Sequence, residues 1–267
     1  MNRIWLLVVL GLAWLSPVRA DVVVLMHGYQ SSVGAWSEAG IDRALSAAGW
    51  RFGGRLFDSR GVVTLDGPGA DGVEKSFYTV SLPHESMLWT QADFLHAYLT
   101  TLRAWHPDEQ FILVGHSAGG VVARLYMVRH PEFPARALIT VASPHLGSEA
   151  ADIAGLVGNT PLAMMAPMVG LGTLNRSRGL YHDLSADRAD SVLYWLNRQE
   201  HPVAQYVSIV RRDGDLLMAR RSQDLRNVPS LRYRARSIET NGGHSLEADD
   251  GRLLVELLKD LARRQLI

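Results

Sequence analysis

The chain of 267 residues contains no cysteine. Disulfides, a thiol nucleophile, a c-type haem link, lipidation on cysteine and cysteine-rich zinc or iron–sulfur sites are therefore excluded, although the redox compartment stays open. Charge of one sign is also missing. Lys and Arg number 27 and so do Asp and Glu, so no general basic field is available to hold nucleic acid. There is no phosphate-binding loop, no histidine pair at metal-ligand spacing and no dinucleotide fingerprint, and neither a cofactor nor a metal is expected. No internal repeat or low-complexity tail is visible. What the chain does have is 47% hydrophobic and only 20% charged residues. That composition argues against disorder, and the length is enough for one large core or two modest ones.

The first 20 residues read as a leader rather than part of the fold. Arg3 gives a short basic start, Ile4 to Leu15 is an apolar run, and Pro17 ends it. Val18-Arg19-Ala20 then offers small residues at the two positions that a signal peptidase reads, so cleavage is expected before Asp21. The competing reading is an uncleaved N-terminal anchor; a buried first helix fits less well, because no face of the run is polar. Removing Met1–Ala20 takes away Arg3 and Arg19 and no acid, leaving 25 basic against 27 acidic residues, a net charge of −2. No later stretch is apolar for long enough to span a bilayer. An exported protein, periplasmic or secreted, is the expectation.

Beyond Ala20 strands and helices alternate. Asp21–Met26 (DVVVLM) is a continuous β-branched apolar run that stops at His27-Gly28, as suits a parallel strand buried on both faces. Further strands are expected at Phe77–Leu82, Phe111–Val114, Ala137–Val141, Gln205–Val210 and Leu231–Ile238. Helices are expected at Ala35–Ala48, Ser86–Trp105, Gly119–Arg129 and Leu246–Arg264. This order implies a mostly parallel sheet covered on both faces. Leu146–Pro202 breaks the pattern: it has little strand character and is too long for a loop. An inserted helical cap is expected there, against the plainer reading of peripheral helices. Gly67-Pro68-Gly69 reads as a turn.

Candidate chemistry concentrates at Gly115-His116-Ser117-Ala118-Gly119. A Gly-x-Ser-x-Gly pattern is weak by itself, but this one follows the apolar strand FILV and precedes the helical GGVVARLYMV. That is the strand–turn–helix setting of a nucleophile elbow. The turn is tight enough to demand small residues two before and two after the serine, and both are glycine. It lifts the Ser117 hydroxyl off the sheet and aims the following helix N-terminus at charge developing beside it.

A serine hydroxyl needs a base, and the base needs an orienting acid. His244, in Asn241-Gly242-Gly243-His244-Ser245, lies between the last strand and the last helix on a flexible loop that can reach Ser117. The alternative for it is a surface loop histidine. His201, at the end of the insertion, is a weaker candidate base. The acid is expected just after the strand Gln205–Val210, where Asp213 and Asp215 compete. Asp215 is preferred because apolar residues follow it two and three positions on, where the chain packs back onto the sheet; the other is then a turn-forming aspartate. For the oxyanion, Ala118 N–H is one donor and Tyr29 N–H, in the loop after the first strand, the other. Gly28 allows the bend, and His27 more often holds such a loop than acts as a base.

At this point the chain resembles the α/β-hydrolase family, in particular bacterial lipases and esterases. The matching pieces are VVVLMHGY, FILVGHSAGGVVARLY, ITVASPHLGSEAAD and the late Asp and His. The third resembles the Pro-His-x-Gly-Ser segment of such lipases, here Pro144, His145, Gly147 and Ser148, and Tyr181–Asn197 loosely resembles the segment leading out of a lipase cap. The resemblance implies an α/β-hydrolase fold: a mostly parallel sheet on an eight-stranded plan lacking its first two strands, helices on both faces and a helical cap at about 146–202. It also implies acyl transfer from an ester to Ser117 and then to water. Two departures matter. Many secreted lipases of this kind bind calcium through an acid two positions after the catalytic histidine; here that position is Leu246, so no calcium site is expected. Nor is there a disulfide to hold the late loop.

Two features fall outside this scheme. Arg232, Arg234 and Arg236 alternate with Leu231, Tyr233 and Ala235, which reads as a charged edge strand that discourages sheet-to-sheet aggregation, or as a patch for anionic headgroups. Met164, Met165 and Met168 suit either a lid that repacks around acyl chains or plain cap–core packing. The expected function is a monomeric serine hydrolase acting on small-molecule or lipid carboxylic esters, with transient lipid-surface contact. The competing readings are a thioesterase, amidase or acyltransferase on the same three residues, and a non-catalytic exported binding protein.

Overall fold

The computed structural model describes residues 21–70, 72–73, 75–147, 176–185, 188–212, 215 and 218–264. Among the described residues eight strands form one sheet: β1 (Asp21–Met26), β2 (Arg51–Ser59), β3 (Val62–Asp66), β4 (Lys75–Val80), β5 (Gln110–His116), β6 (Ala137–Val141), β7 (Gln205–Arg211) and β8 (Ala235–Thr240). Their order across the sheet is β3-β2-β4-β1-β5-β6-β7-β8. Every neighbouring pair is parallel except β2–β3. The helices among the described residues are α1 (Ala35–Glu38), α2 (Ile41–Ala47), α3 (Leu88–Trp105), α4 (Ala118–Arg129), α5 (Arg178–Asp183), α6 (Val192–Leu196), α7 (Arg220–Gln223) and α8 (Ala248–Arg263).

β1 explains why the sheet is covered twice. All six of its residues are buried, and they alternate between two cores because successive side chains of a strand point to opposite faces. Val22, Val24 and Met26 join Leu88, Leu95 and Leu102 of α3 and Val121 and Leu125 of α4. Val23 and Leu25 join Trp36, Ile41 and Leu45 of α1 and α2, with Leu254, Leu257, Leu258 and Leu261 of α8. Each such fully buried leucine contributes about 1.5–3 kcal/mol. α8 presents its leucines at helical spacing and begins with a capping box, in which Glu247 and Asp250 each accept from the other's backbone N–H.

Several elements differ from the sequence expectation. The resemblance implies a sheet lacking its first two strands, but among the described residues the sheet has eight, two of them between the first strand and Phe77 where the sequence pattern predicts none. Residues 51–66 supply a hairpin, β2–β3, at the edge beside β4. Its turn is Arg60-Gly61, with φ of +55° and +83°. This is the two-residue arrangement that favours positive φ at both positions, but without the Asn-Gly signal that makes such turns legible. A register shift between Phe52 and Gly54 also breaks the alternation in β2. The expected helix Ala35–Ala48 is two short helices separated at Ala39 and Gly40.

The expected strand Leu231–Ile238 starts late. Pro229–Leu231 forms a 3-10 turn and β8 begins only at Ala235. Arg232 and Arg234 therefore precede the strand, and of the three arginines only Arg236 lies on it. Arg234 turns back to donate to the carbonyls of His201 (3.0 Å) and Pro202, while Arg236 pairs with Asp260 of α8 at 2.7 Å. β8 is nevertheless the sheet's edge strand.

Of the expected cap, Met164, Met165, Met168 and Ser148 lie outside the described residues. Its described remainder includes α5 and α6, which dock on the core through Leu180, Tyr181, Leu193 and Leu196. The buried Asp183 accepts from Leu88 N–H at 2.8 Å, satisfying a free donor at the start of α3. No helix among the described residues is long and apolar enough to cross a membrane.

Candidate active site

The site is built where β5 passes into α4. Ser117 stands between them with φ +51° and ψ −129°, a conformation that costs a non-glycine residue about 1–3 kcal/mol and persists only when its surroundings enforce it. Close packing does so here. A Cβ on Gly115 would lie 2.4 Å from Gly120 Cα, and one on Gly119 would lie 2.4 Å from the His27 carbonyl oxygen. The helix thus starts against the ends of both β5 and β1. Ser117 N–H donates to Val141 O at 2.9 Å, fixing the turn to β6.

His244 and Asp215 converge on this serine. His244 Nε2 is 3.0 Å from Ser117 Oγ, and His244 Nδ1 is 2.8 Å from Asp215 Oδ2. The Asp215 side chain is 1% exposed and that of His244 19%. Asp215 Oδ1 accepts from Met218 N–H at 3.0 Å, and Oδ2 also accepts from Gln223 Nε2 at 3.2 Å. Asp213 lies outside the described residues. His201 is not part of this cluster: its Nδ1 lies 3.0 Å from Gln199 O and 2.7 Å from Ser230 Oγ. Burial pushes its pKa down to about 3.

The loop after β1 abuts the serine. A Cβ on Gly28 would come within 2.7 Å of Ser117 Cβ and 3.3 Å of its Oγ, so a side chain there would displace the hydroxyl. Tyr29 follows in the same loop. Ala118 is the first residue of α4, where N–H groups lack partners within the helix. His27 ties the loop down. Its Nε2 accepts from Leu82 N–H at 3.2 Å, which leaves Nδ1 to donate to Gly28 O at 3.0 Å. Burial lowers its pKa to about 4, so it is neutral near pH 7.

Other residues that hold the site were not read from the sequence. His84, after β4, accepts Gln30 N–H at 3.2 Å, and Tyr181 of α5 shares a 2.5 Å hydroxyl–hydroxyl hydrogen bond with Tyr29. His116 Nε2 donates to the His244 carbonyl at 2.8 Å. Gln223 and a buried Arg211–Asp250 pair, whose closest approach is 2.6 Å, lie behind the acid and the histidine. His116 carried a signal by standing next to the serine, and Tyr181 opens the segment that loosely resembles a lipase cap exit. The others are spread over distant segments and have no motif. Among the described residues there is no cluster of three or more His, Asp or Glu able to hold a metal ion.

With this geometry in view, comparison with known proteins gives the class. Residues 21–208 match the family model described as alpha/beta hydrolase fold, and the chain belongs to that family. Among solved structures it is similar to a Bacillus licheniformis lipase in its mature form, with 15% identity and a TM-score of 0.60 over 92% of this chain and 93% of that one. It is also similar to a monoacylglycerol lipase from Paleococcus ferrophilus, with 18% identity and a TM-score of 0.54 over 90% and 94%. At these identities the likeness is one of fold. By sequence it is 29% identical over 134 residues to a 1-acylglycerol-3-phosphate O-acyltransferase of Arabidopsis thaliana. That match spans 49% of this chain and 27% of the plant protein's length.

Proposed function

We propose that this chain is an exported serine hydrolase that cleaves carboxylic esters, with a lipid-like acyl group preferred. One observation carries the reading: a continuous two-bond relay from Ser117 Oγ through His244 to Asp215, at 3.0 and 2.8 Å. In the proposed cycle Ser117 Oγ attacks the ester carbonyl while His244 Nε2 takes its proton. Asp215 orients the ring through Nδ1–H and stabilises the imidazolium that forms. The N–H groups of Tyr29 and Ala118 hold the oxyanion. The tetrahedral intermediate then expels the alcohol, which leaves with the proton from His244. Water attacks the acyl-serine with His244 again as base, and the carboxylic acid departs as Ser117 Oγ regains its proton.

A second reading is favoured by the likeness to the plant acyltransferase. The same acyl-serine can pass its acyl group to an alcohol acceptor in place of water, with no change in the residues involved. Thioesters and amides are alternative donors, and a non-catalytic binding protein is the rival of another class. A panel of esters, thioesters and amides of graded chain length, run with and without a lysophospholipid acceptor, separates these readings. Ester hydrolysis dominating in both conditions supports the proposal. Acceptor-dependent transfer supports the second reading, and inertness toward the whole panel supports the binding protein. Export is proposed on Met1–Ala20, and N-terminal sequencing of the processed protein should begin at Asp21. Action as a monomer and transient contact with a lipid surface belong to the same proposal.

A further inference from the structure

Arg211 is the last residue of β7 and is 1% exposed. Its guanidinium reaches three different segments. Nη1 donates to Thr240 Oγ1 and Asp250 Oδ1, both at 2.8 Å, and Nη2 donates to Asp250 Oδ2 at 2.6 Å and Ser245 O at 3.2 Å. One side chain thereby fastens the end of β8, the peptide following His244 and the start of α8.

The partner acid extends the same framework. Asp250 Oδ2 also accepts from Glu247 N–H at 2.8 Å, and Glu247 Oε1 accepts from Gly243 N–H at 2.9 Å. Both neighbours of His244 in the chain are therefore held, Ser245 by Arg211 directly and Gly243 through Asp250 and Glu247. Arg211 reaches the acid as well. Its backbone N–H donates to Gln223 Oε1 at 2.8 Å, and Gln223 Nε2 donates to Asp215 Oδ2 at 3.2 Å.

We infer that the buried Arg211–Asp250 pair is a positioning element that sets the approach of His244 to Asp215. The inference rests on the hydrolase reading for its kinetic consequence, though not for its structural one. Neither residue hydrogen-bonds the side chain of Ser117, Asp215 or His244, so the pair acts through the loops that carry them. Two physical points support the role. The segment before His244 contains Gly242-Gly243, whose backbone has much freedom to lose, so an orienting clamp has something to do. A Cβ on Gly242 would sit 3.0 Å from both Arg211 Nη1 and Glu247 Cδ, so the segment threads closely between the clamp's members. Moreover, a buried ion pair is a poor source of stability compared with apolar side chains of similar volume, because desolvating the charges costs about what their attraction returns. What such a pair supplies, and apolar residues lack, is direction.

Two variants test this. Arg211→Met/Asp250→Leu removes both charges and leaves neither unpaired. Arg211→Lys keeps a cation beside Asp250 but cannot fork to Thr240 and Ser245 together. The readouts are kcat and KM on a short p-nitrophenyl ester, and the low-field proton resonance of the His244 Nδ1–H shared with Asp215, assigned by its loss in Asp215→Asn. In whichever variants fold, kcat should fall about 100-fold with KM within about threefold, the scale expected when a reacting group is misplaced by an ångström. The resonance should broaden or move upfield. Wild-type kcat overturns the inference, and so does a fall in kcat with the resonance intact. If the unmodified protein turns over no ester, the hydrolase reading fails on its own, and the resonance still decides whether the pair positions the two side chains.

Discussion

His116 holds His244: its Nε2 donates to the backbone carbonyl of the loop histidine at 2.8 Å. The residue that precedes the candidate nucleophile therefore anchors the segment carrying the candidate base, although the two lie 128 positions apart in the chain. Burial drives the His116 pKa down to about 4, which keeps the ring neutral near pH 7. Replacing it by Ala should lower kcat on a short ester about tenfold with little change in KM, through looser placement of the imidazole. His116→Gln, which can put an amide N–H near the same carbonyl, should recover part of the loss. Equal kcat in wild type and His116→Ala would show that this bond does not align the site.

Asp215 and Asp213 should separate sharply. Asp215→Asn removes the charge that orients His244, and a fall in kcat of about 10⁴-fold is expected from the same change in a serine triad. Asp213→Asn should stay within about threefold of wild type, since Asp215 already occupies His244 Nδ1. Steady-state kinetics on both variants checks this, with circular dichroism to establish folding. A large loss in the Asp213 variant instead would reassign the acid.

Gly28→Ala should damage the site more than the fold. The added methyl would stand 2.7 Å from Ser117 Cβ, and relief requires the loop carrying Tyr29 to move away from the serine. An activity loss of about 100-fold is expected, with a thermal midpoint lowered by only a few degrees. Unchanged turnover would mean that the loop's position does not matter for the reaction.

Four buried histidines set a pH dependence of stability. Burial lowers the pKa of His27 and of His116 from 6.5 to about 4 and that of His201 to about 3, and puts His145 well below 6.5. In the unfolded chain these groups take up protons near pH 6.5, while in the folded chain they resist until much lower pH. Between those values the unfolded state binds more protons, so stability is complete above about pH 6.5 and falls as the pH drops towards 4. For His27 and His116 the loss is about 2 kcal/mol each by pH 5. Guanidinium denaturation at pH 7 and pH 5 should show this as a lower midpoint with an unchanged slope. A flat midpoint across that interval would contradict it.

The parts of the molecule legible from residues alone are those in which local geometry constrains residue type. β1 reads as a two-faced strand because all six of its residues are buried. The elbow reads clearly because only glycine tolerates the approaches at positions 115 and 119. The convergence of His244 and Asp215 on Ser117 is the arrangement that chain order and the apolar residues after Asp215 point to. The hairpin at 51–66 escaped because Arg60-Gly61 lacks the usual turn chemistry and β2 is irregular near Gly54. The pattern from Leu231 reads as strand because alternating arginines imitate strand period, whereas Pro229 starts a 3-10 turn there. Arg211 gave no signal at all. Its meaning depends on Thr240, Ser245 and Asp250, which only the folded sheet brings to it.

Whether the Ser117 hydroxyl is an activated nucleophile is decided by covalent capture. The protein is incubated with a fluorophosphonate and the modified peptide is identified by mass spectrometry, in parallel with Ser117→Ala. One adduct is expected, on Ser117, in the wild type, none in the variant, and loss of p-nitrophenyl ester turnover in both the labelled protein and the folded variant. A folded wild-type protein that takes no label, or a Ser117→Ala variant that still turns over the ester, would contradict that role for Ser117.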